Sequence, residues 1–177
     1  MDSDPALSLP EWVVLAVIDE HPTHGFAVAA LTMPGGELGR IWQIARPVVY
    51  RSLGRLRDAG LVVPEGTEAG RGPQRTIYSA TATGSAQVRG WLQTPVEHVR
   101  DVRSKLLLKL ALIDRRGGDP SALVARQKTV IRPIVQAVQA VQAEAAEQAG
   151  FERTLLAWRR ASAAATSRFL DEITATR

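Results

Sequence analysis

The apolar period of this chain changes at Gly60, and that change constrains the fold more than any other feature of the sequence. Before it, Val49, Leu53 and Leu56 recur at steps of four and three, the spacing of a helix with one buried face. Pro47 suits the first helical position and Gly60 the left-handed residue after the last, so a helix is predicted from Pro47 to Ala59. After Gly60, Leu61-Val62-Val63 is short, β-branched and broken by Pro64, and Arg75-Thr76-Ile77-Tyr78-Ser79 is a second candidate strand. Between them Glu65 to Gln74 contains Gly66, Gly70, Gly72 and Pro73, which predicts a long hairpin loop.

The segments on either side extend this pattern. Ser8-Leu9-Pro10-Glu11 has the form of a capping box and opens a helix with Val14, Leu15 and Ile18 on one face, as far as Asp19. Pro22-Thr23 interrupts it, and Thr23 is expected to cap a short second helix with Phe26, Ala27 and Leu31, ended by Met33-Pro34-Gly35-Gly36. Beyond the hairpin, Thr81 or Thr83 caps a helix carrying Val88, Trp91 and Leu92 that stops before Pro95. Three helices, a two-stranded hairpin and a closing helix predict a winged helix-turn-helix domain over residues 1–95. The fold class is therefore mainly α with a small β-hairpin.

From Val99 the pattern is helical throughout. Val102, Leu106, Leu110 and Ile113 belong to a connecting helix within residues 96–118, ended by Gly117-Gly118. Asp119-Pro120 starts a C-terminal helical domain, residues 119–177, with apolar residues Leu123, Val130, Ile134, Val138, Val141 and Ala145 along its first helix. Pro133 lies inside this stripe and is expected to kink it. Gly150 separates a last helix whose stripe is Phe151, Leu155, Trp158, Ser162, Ala165, Phe169 and Ile173. Two long stripes need a partner, and a second copy of the chain is the expected one. Leu123, Val130, Ile134, Val138, Phe151, Leu155, Trp158, Ala165 and Phe169 are the candidate dimer interface.

Charge is more informative located than summed. Over 177 residues 22 Lys and Arg face 18 Asp and Glu, a net charge of +4 that identifies no partner by itself. Between Arg40 and Arg75, however, seven arginines face three carboxylates, so the whole excess lies in the predicted helix and wing. Arginine's planar fork suits phosphate oxygens and guanine edges. On the predicted helix Pro47, Arg51, Gly54 and Asp58 point away from the buried face, with Tyr50 and Arg55 on its flanks. The first turn of such a helix reaches base edges in the major groove, which selects Arg46, Pro47, Val48, Tyr50 and Arg51. Arg55, two turns in, is expected at a phosphate; Tyr50 either meets phosphate or packs. Arg71, Gln74 and Arg75 would carry the wing over phosphates or into the minor groove.

Other chemistries find little footing. The chain has no cysteine, which excludes disulfides, Cys-ligated zinc, iron–sulfur clusters and a thiol nucleophile. His21-Pro22-Thr23-His24 has the wrong spacing for a helical metal pair, and Gly35-Gly36-Glu37-Leu38-Gly39 is neither a dinucleotide fingerprint nor a phosphate loop. His24 is expected to satisfy backbone groups in a first helical turn. No enzyme activity, metal or cofactor is expected. The apolar runs are too short to span a membrane, and Asp2 and Asp4 stand where a leader would be basic, so a cytoplasmic, nucleoid-associated protein without membrane contact is expected.

These residues resemble the PadR family of bacterial transcription regulators. The resemblance rests on His24-Gly25-Phe26, on Val49-Tyr50-x-x-Leu53-x-x-Leu56-x-x-x-Gly60-Leu61-Val62, on Arg75-x-x-Tyr78-x-x-Thr81-x-x-Gly84, and on Trp91-Leu92 before Pro95. Arg103 to Leu110 is similar to the segment leading into that family's C-terminal helices. Ala45 stands where the family often has a hydroxyl residue, Phe26 where it has Tyr, and Ala80 where it has a larger aliphatic residue. The resemblance implies a homodimer joined by its C-terminal helices, binding double-stranded DNA at a palindromic operator, usually as a repressor and often released by a small aromatic or lipophilic effector. Trp12, Trp91, Trp158 and Phe169 are the candidate effector-pocket residues; their other reading is core and dimer contact. The alternative to operator binding is a winged-helix adaptor that uses the same surface to bind protein.

Overall fold

A computed structural model describes residues 7–68, 74–140 and 149–175, without the side chain of Gln139. The chain divides into two packed units, residues 1–92 with 108–117, and residues 93–107 with 118–177.

The first unit begins with α1 (Leu9–Glu20), which is buried on nearly every side because the run Val13 to Ile18 is apolar around the whole helix. Strand β1 (Thr23–His24) leads into α2 (Gly25–Thr32), and α3 (Arg46–Asp58) follows. Val49, Ser52, Leu53 and Leu56 form the buried face of α3, the face its period selects. Gly60, with φ of 69°, makes the left-handed exit that a side chain would resist. The hairpin is β2 (Val62–Glu68) and β3 (Arg75–Ala80), and α4 (Ala82–Gln93) closes the unit. Thr81 Oγ1 accepts the Gly84 amide at 3.0 Å and donates to the Gly60 carbonyl at 2.9 Å, so the α4 cap also fastens the turn that follows α3.

Three expectations change here. The sheet has three antiparallel strands in the order β1-β3-β2, because Thr23 and His24 pair with Tyr78 and Ile77. Thr23 is thereby used as a strand residue, and His24 caps α2 instead, its Nδ1 accepting the Ala27 amide at 3.0 Å. Strand β2 continues past Pro64 to Glu68 because it lies at the sheet edge, where a proline need not donate to a neighbour, and the register shift between Pro64 and Gly66 takes up Glu65.

Residues 108–117 complete this unit. They end a helical run made of α5 (Val99–Asp101), a π-type stretch (Val102–Leu106) and α6 (Leu107–Arg115). Leu108 and Leu112 join the core of the winged unit. Arg115 donates to Glu20 at 2.7 Å and also pairs with Glu37; Arg116 pairs with Asp19 at 2.8 Å and donates to the Ala16 carbonyl. The end of α6 thus neutralises the acidic end of α1.

The second unit is built on α7 (Ser121–Ala140) and α8 (Gly150–Ala175). Asp119 Oδ1 accepts the Ser121 amide at 3.0 Å at the start of α7, which runs unbroken past Pro133. Leu123, Val124, Gln127 and Ile131 of α7 and Ala163, Thr166 and Leu170 of α8 are buried. Gln127 is fully buried and holds Val96 through both backbone groups, accepting its amide at 2.7 Å and donating to its carbonyl at 2.8 Å. Of the candidate dimer residues Leu123 is buried, Val130, Ile134, Val138, Leu155 and Phe169 are half-buried, Ala165 is exposed, and Phe151 and Trp158 are 73% and 70% exposed. Val141 and Ala145 lie outside the described residues. Among the described residues no helix is long and apolar enough to cross a membrane.

Candidate nucleic-acid interface

The outward face of α3 and the start of β3 border one groove of about 550 Å³, lined among others by Arg46, Tyr50, Gly54, Arg57, Gln74 and Arg75. Its shape follows from packing beneath it. A Cβ on Gly25 would lie 2.7 Å from Leu53 Cδ1 and 3.0 Å from Tyr50 Cε1, so the absence of a side chain lets α3 rest on the start of α2. Sheet pairing of His24 with Ile77 then fixes β3 beside α2.

Arg46, Pro47, Tyr50, Arg51, Arg55 and Gln74 are exposed and Val48 and Arg75 half-buried, while Arg71 lies outside the described residues. The Ala45 side chain makes no cap to the α3 N-terminus, as its methyl dictates. Arg46 lies over the Tyr50 ring, 5.9 Å from its centroid, and over Phe26 at 5.0 Å; Arg75 lies over Phe26 at 4.4 Å. Arg46, Tyr50, Gln74 and Arg75 are therefore gathered at one groove, whereas Arg51 stands on the outer face of α3.

Arg55 is placed differently. Its guanidinium donates to Glu11 Oε1 at 3.2 Å, although the side chain remains 67% exposed. Burial pushes the Glu11 carboxyl up, but hydrogen bonds from the Ser8 hydroxyl and amide, both 2.6 Å, and the pairing with Arg55 outweigh it and hold the group below the usual glutamate range. Arg57 turns to its neighbour Asp58 at 2.9 Å.

The sequence reading missed Phe26 as part of this surface and the buried Glu11 as the carboxylate that holds Arg55. Phe26 reads as a core residue of a short helix, yet it is 41% exposed beneath two guanidinium groups. Only its place after His24-Gly25 in a family motif pointed to it. Of the aromatic residues considered for an effector, Trp12 and Trp91 stack with centroids 5.3 Å apart and planes 3° from parallel, and the buried Lys109 ammonium lies 4.9 Å from the Trp91 centroid. Trp158 and Phe169 belong to α8 of the other unit.

Residues 14–90 match the model of the transcriptional regulator PadR-like family. No protein of curated function matches the chain. Among solved structures, the chain is similar to Bacillus subtilis PadR in complex with operator DNA, at 18% identity over 93% of this chain and 97% of that one, with a TM-score of 0.48. It is similar to Bacillus subtilis PadR in complex with p-coumaric acid at 16% identity over 96% and 98%, TM-score 0.45. The PadR-like transcriptional regulator BC1756 from Bacillus cereus matches at 19% identity over 97% of each chain, TM-score 0.44. The family match covers residues 14–90, less than half of the chain.

Proposed function

We propose, from the match of residues 14–90 to the transcriptional regulator PadR-like family, that the chain is a dimeric repressor that binds a palindromic operator through α3 and the wing. The observation that carries the reading is the groove that gathers Arg46, Tyr50, Gln74 and Arg75 beside the outward face of α3, where the chain's excess positive charge is concentrated. In this reading Pro47, Val48, Tyr50 and Arg51 address the major groove, Arg46 and Arg55 phosphates at its edge, and Arg71, Gln74 and Arg75 the backbone beside it. The family is one of regulators rather than enzymes. The proposed division of labour is a winged domain at 1–95 and a dimerisation domain at 119–177 joined through 96–118, of which residues 108–117 pack with the winged unit, in a protein acting at the nucleoid in the cytoplasm.

Dimerisation is supported by Phe151 and Trp158, which present large apolar side chains to solvent along α8. A twofold dimer sets two half-sites about 34 to 36 Å apart. Release by a small aromatic or lipophilic effector extends the proposal, with Trp12 and Trp91 of the winged unit and Trp158 and Phe169 of α8 as separate candidates.

The test is binding to the DNA flanking its own gene across a salt series. Each phosphate neutralised contributes about −0.9 to the log–log slope, so Arg46→Ala and Arg75→Ala each make the slope shallower by about 1. Arg51→Ala relaxes sequence preference by about 1 to 3 kcal/mol if it holds a guanine edge. Trp158→Glu converts dimer to monomer in sedimentation and lowers operator affinity. Salt-insensitive binding would point to a protein-binding adaptor and end the operator reading; a Trp158→Glu dimer would end the assignment of α8.

A further inference from the structure

The motif His24-Gly25-Phe26 places an aromatic ring where DNA contact by α3 and the wing does not by itself require one. Phe26 stands between the two basic elements. Arg46 comes to it from the N-terminus of α3 and Arg75 from the first residue of β3, with guanidinium carbons 5.0 and 4.4 Å from the ring centroid. Two like charges drawn onto one ring repel each other, and among the described residues neither arginine is in an ion pair. The negative face of the ring offsets part of that repulsion. An anion held by both guanidinium groups offsets the rest, with the planar geometry arginine brings to phosphate.

The ring is held in place from below. His24 caps α2 through Nδ1, and its Nε2 lies 3.2 Å from Glu68 Oε2 of the wing and 3.4 Å from the Arg75 guanidinium. That histidine ties the start of α2 to β2, and Gly25 brings α3 onto the same turn. Phe26 is therefore fixed relative to both elements that carry its arginines.

We propose that Phe26 is a positioning residue that sets Arg46 and Arg75 as a two-guanidinium clamp on the sugar–phosphate backbone of bound duplex DNA. The inference rests on the DNA-binding reading and adds to it a residue that itself has no polar group to offer a phosphate.

The experiment measures duplex affinity of the full chain by fluorescence anisotropy over a salt series. Phe26→Leu and Phe26→Tyr are each made in the native background, and Phe26→Leu also in an Arg46→Ala/Arg75→Ala background. Leucine offers no ring face to either guanidinium, so Phe26→Leu weakens binding about 5- to 30-fold, whereas Phe26→Tyr, which keeps the ring face, stays close to the parent. In the background without the two arginines, Phe26→Leu has little further effect. The proposal is overturned if Phe26→Leu leaves native affinity unchanged, or if it costs the same in both backgrounds, the result a general folding defect gives. A parent chain that shows no salt-dependent binding to duplex DNA removes the DNA reading and the clamp together, an outcome distinct from the other two.

Discussion

Replacing glycine by alanine at two positions in the winged unit should have opposite effects on stability. Gly54 and Gly84 both lie inside helices, α3 and α4, where glycine costs about 1 kcal/mol relative to alanine in helix propensity. A Cβ on Gly54 meets nothing within 4 Å. Gly54→Ala therefore gains most of that propensity, about 0.8 to 1 kcal/mol, which for a chain of 177 residues raises Tm by about 2 to 4 °C. A Cβ on Gly84 would collide with the Leu61 carbonyl oxygen and stand 3.2 Å from its carbon, backbone that belongs to the turn fastened by Thr81. Relief requires α4 to move off that turn, an overpacking cost of about 1 to 3 kcal/mol that exceeds the propensity gained. Thermal melts and urea titrations of the two variants beside the parent give the signs directly. Both variants shifting the same way would refute the reasoning, since their propensity terms are alike and only the surroundings differ. Gly54→Ala has a second consequence: its methyl projects toward the groove, so if the proposed DNA interface is right, duplex binding should weaken as the fold strengthens.

Glu11 makes stability depend on acid. Its carboxyl is held below the usual glutamate range in the folded chain, so its contribution is complete above the unfolded pKa and is lost as pH falls through the folded value. Glu11→Gln should lower unfolding free energy at pH 7 by about 1 to 3 kcal/mol, and urea titrations down to pH 3 should show the gap to the parent closing; a constant gap would contradict the assignment. In the second unit, Gln127→Met keeps side-chain volume but leaves the Val96 amide and carbonyl without their partner, at about 1 to 3 kcal/mol for each buried group left unpaired. A urea midpoint equal to the parent's would show that Gln127 is replaceable.

Much of the fold is local and was legible in the sequence. The α3 face of Val49, Leu53 and Leu56, its exit at Gly60, the Thr81 cap and the helix starts near Ser8 and Asp119 follow from spacing, φ preference and hydrogen-bonding capacity, which neighbouring residues fix among themselves. The concentration of arginine between Arg40 and Arg75, and the outward face of α3, were legible for the same reason. What the sequence could not determine depends on residues far apart in the chain. Two residues are too few to show a strand period, so β1 exists only because Tyr78 and Ile77 are there to pair with Thr23 and His24. Whether Pro64 ends a strand depends on whether that strand is at an edge, which is a property of the sheet. The burial of Leu108 and Leu112 in the winged unit, the pairing of Arg55 with Glu11 across 44 positions, and the meeting of Arg46 and Arg75 on Phe26 are likewise tertiary. Sequence assigned the positive charge to one helix and one hairpin; packing of α3 on Gly25 and pairing of β1 with β3 decided which arginines share a surface and which is held by a carboxylate.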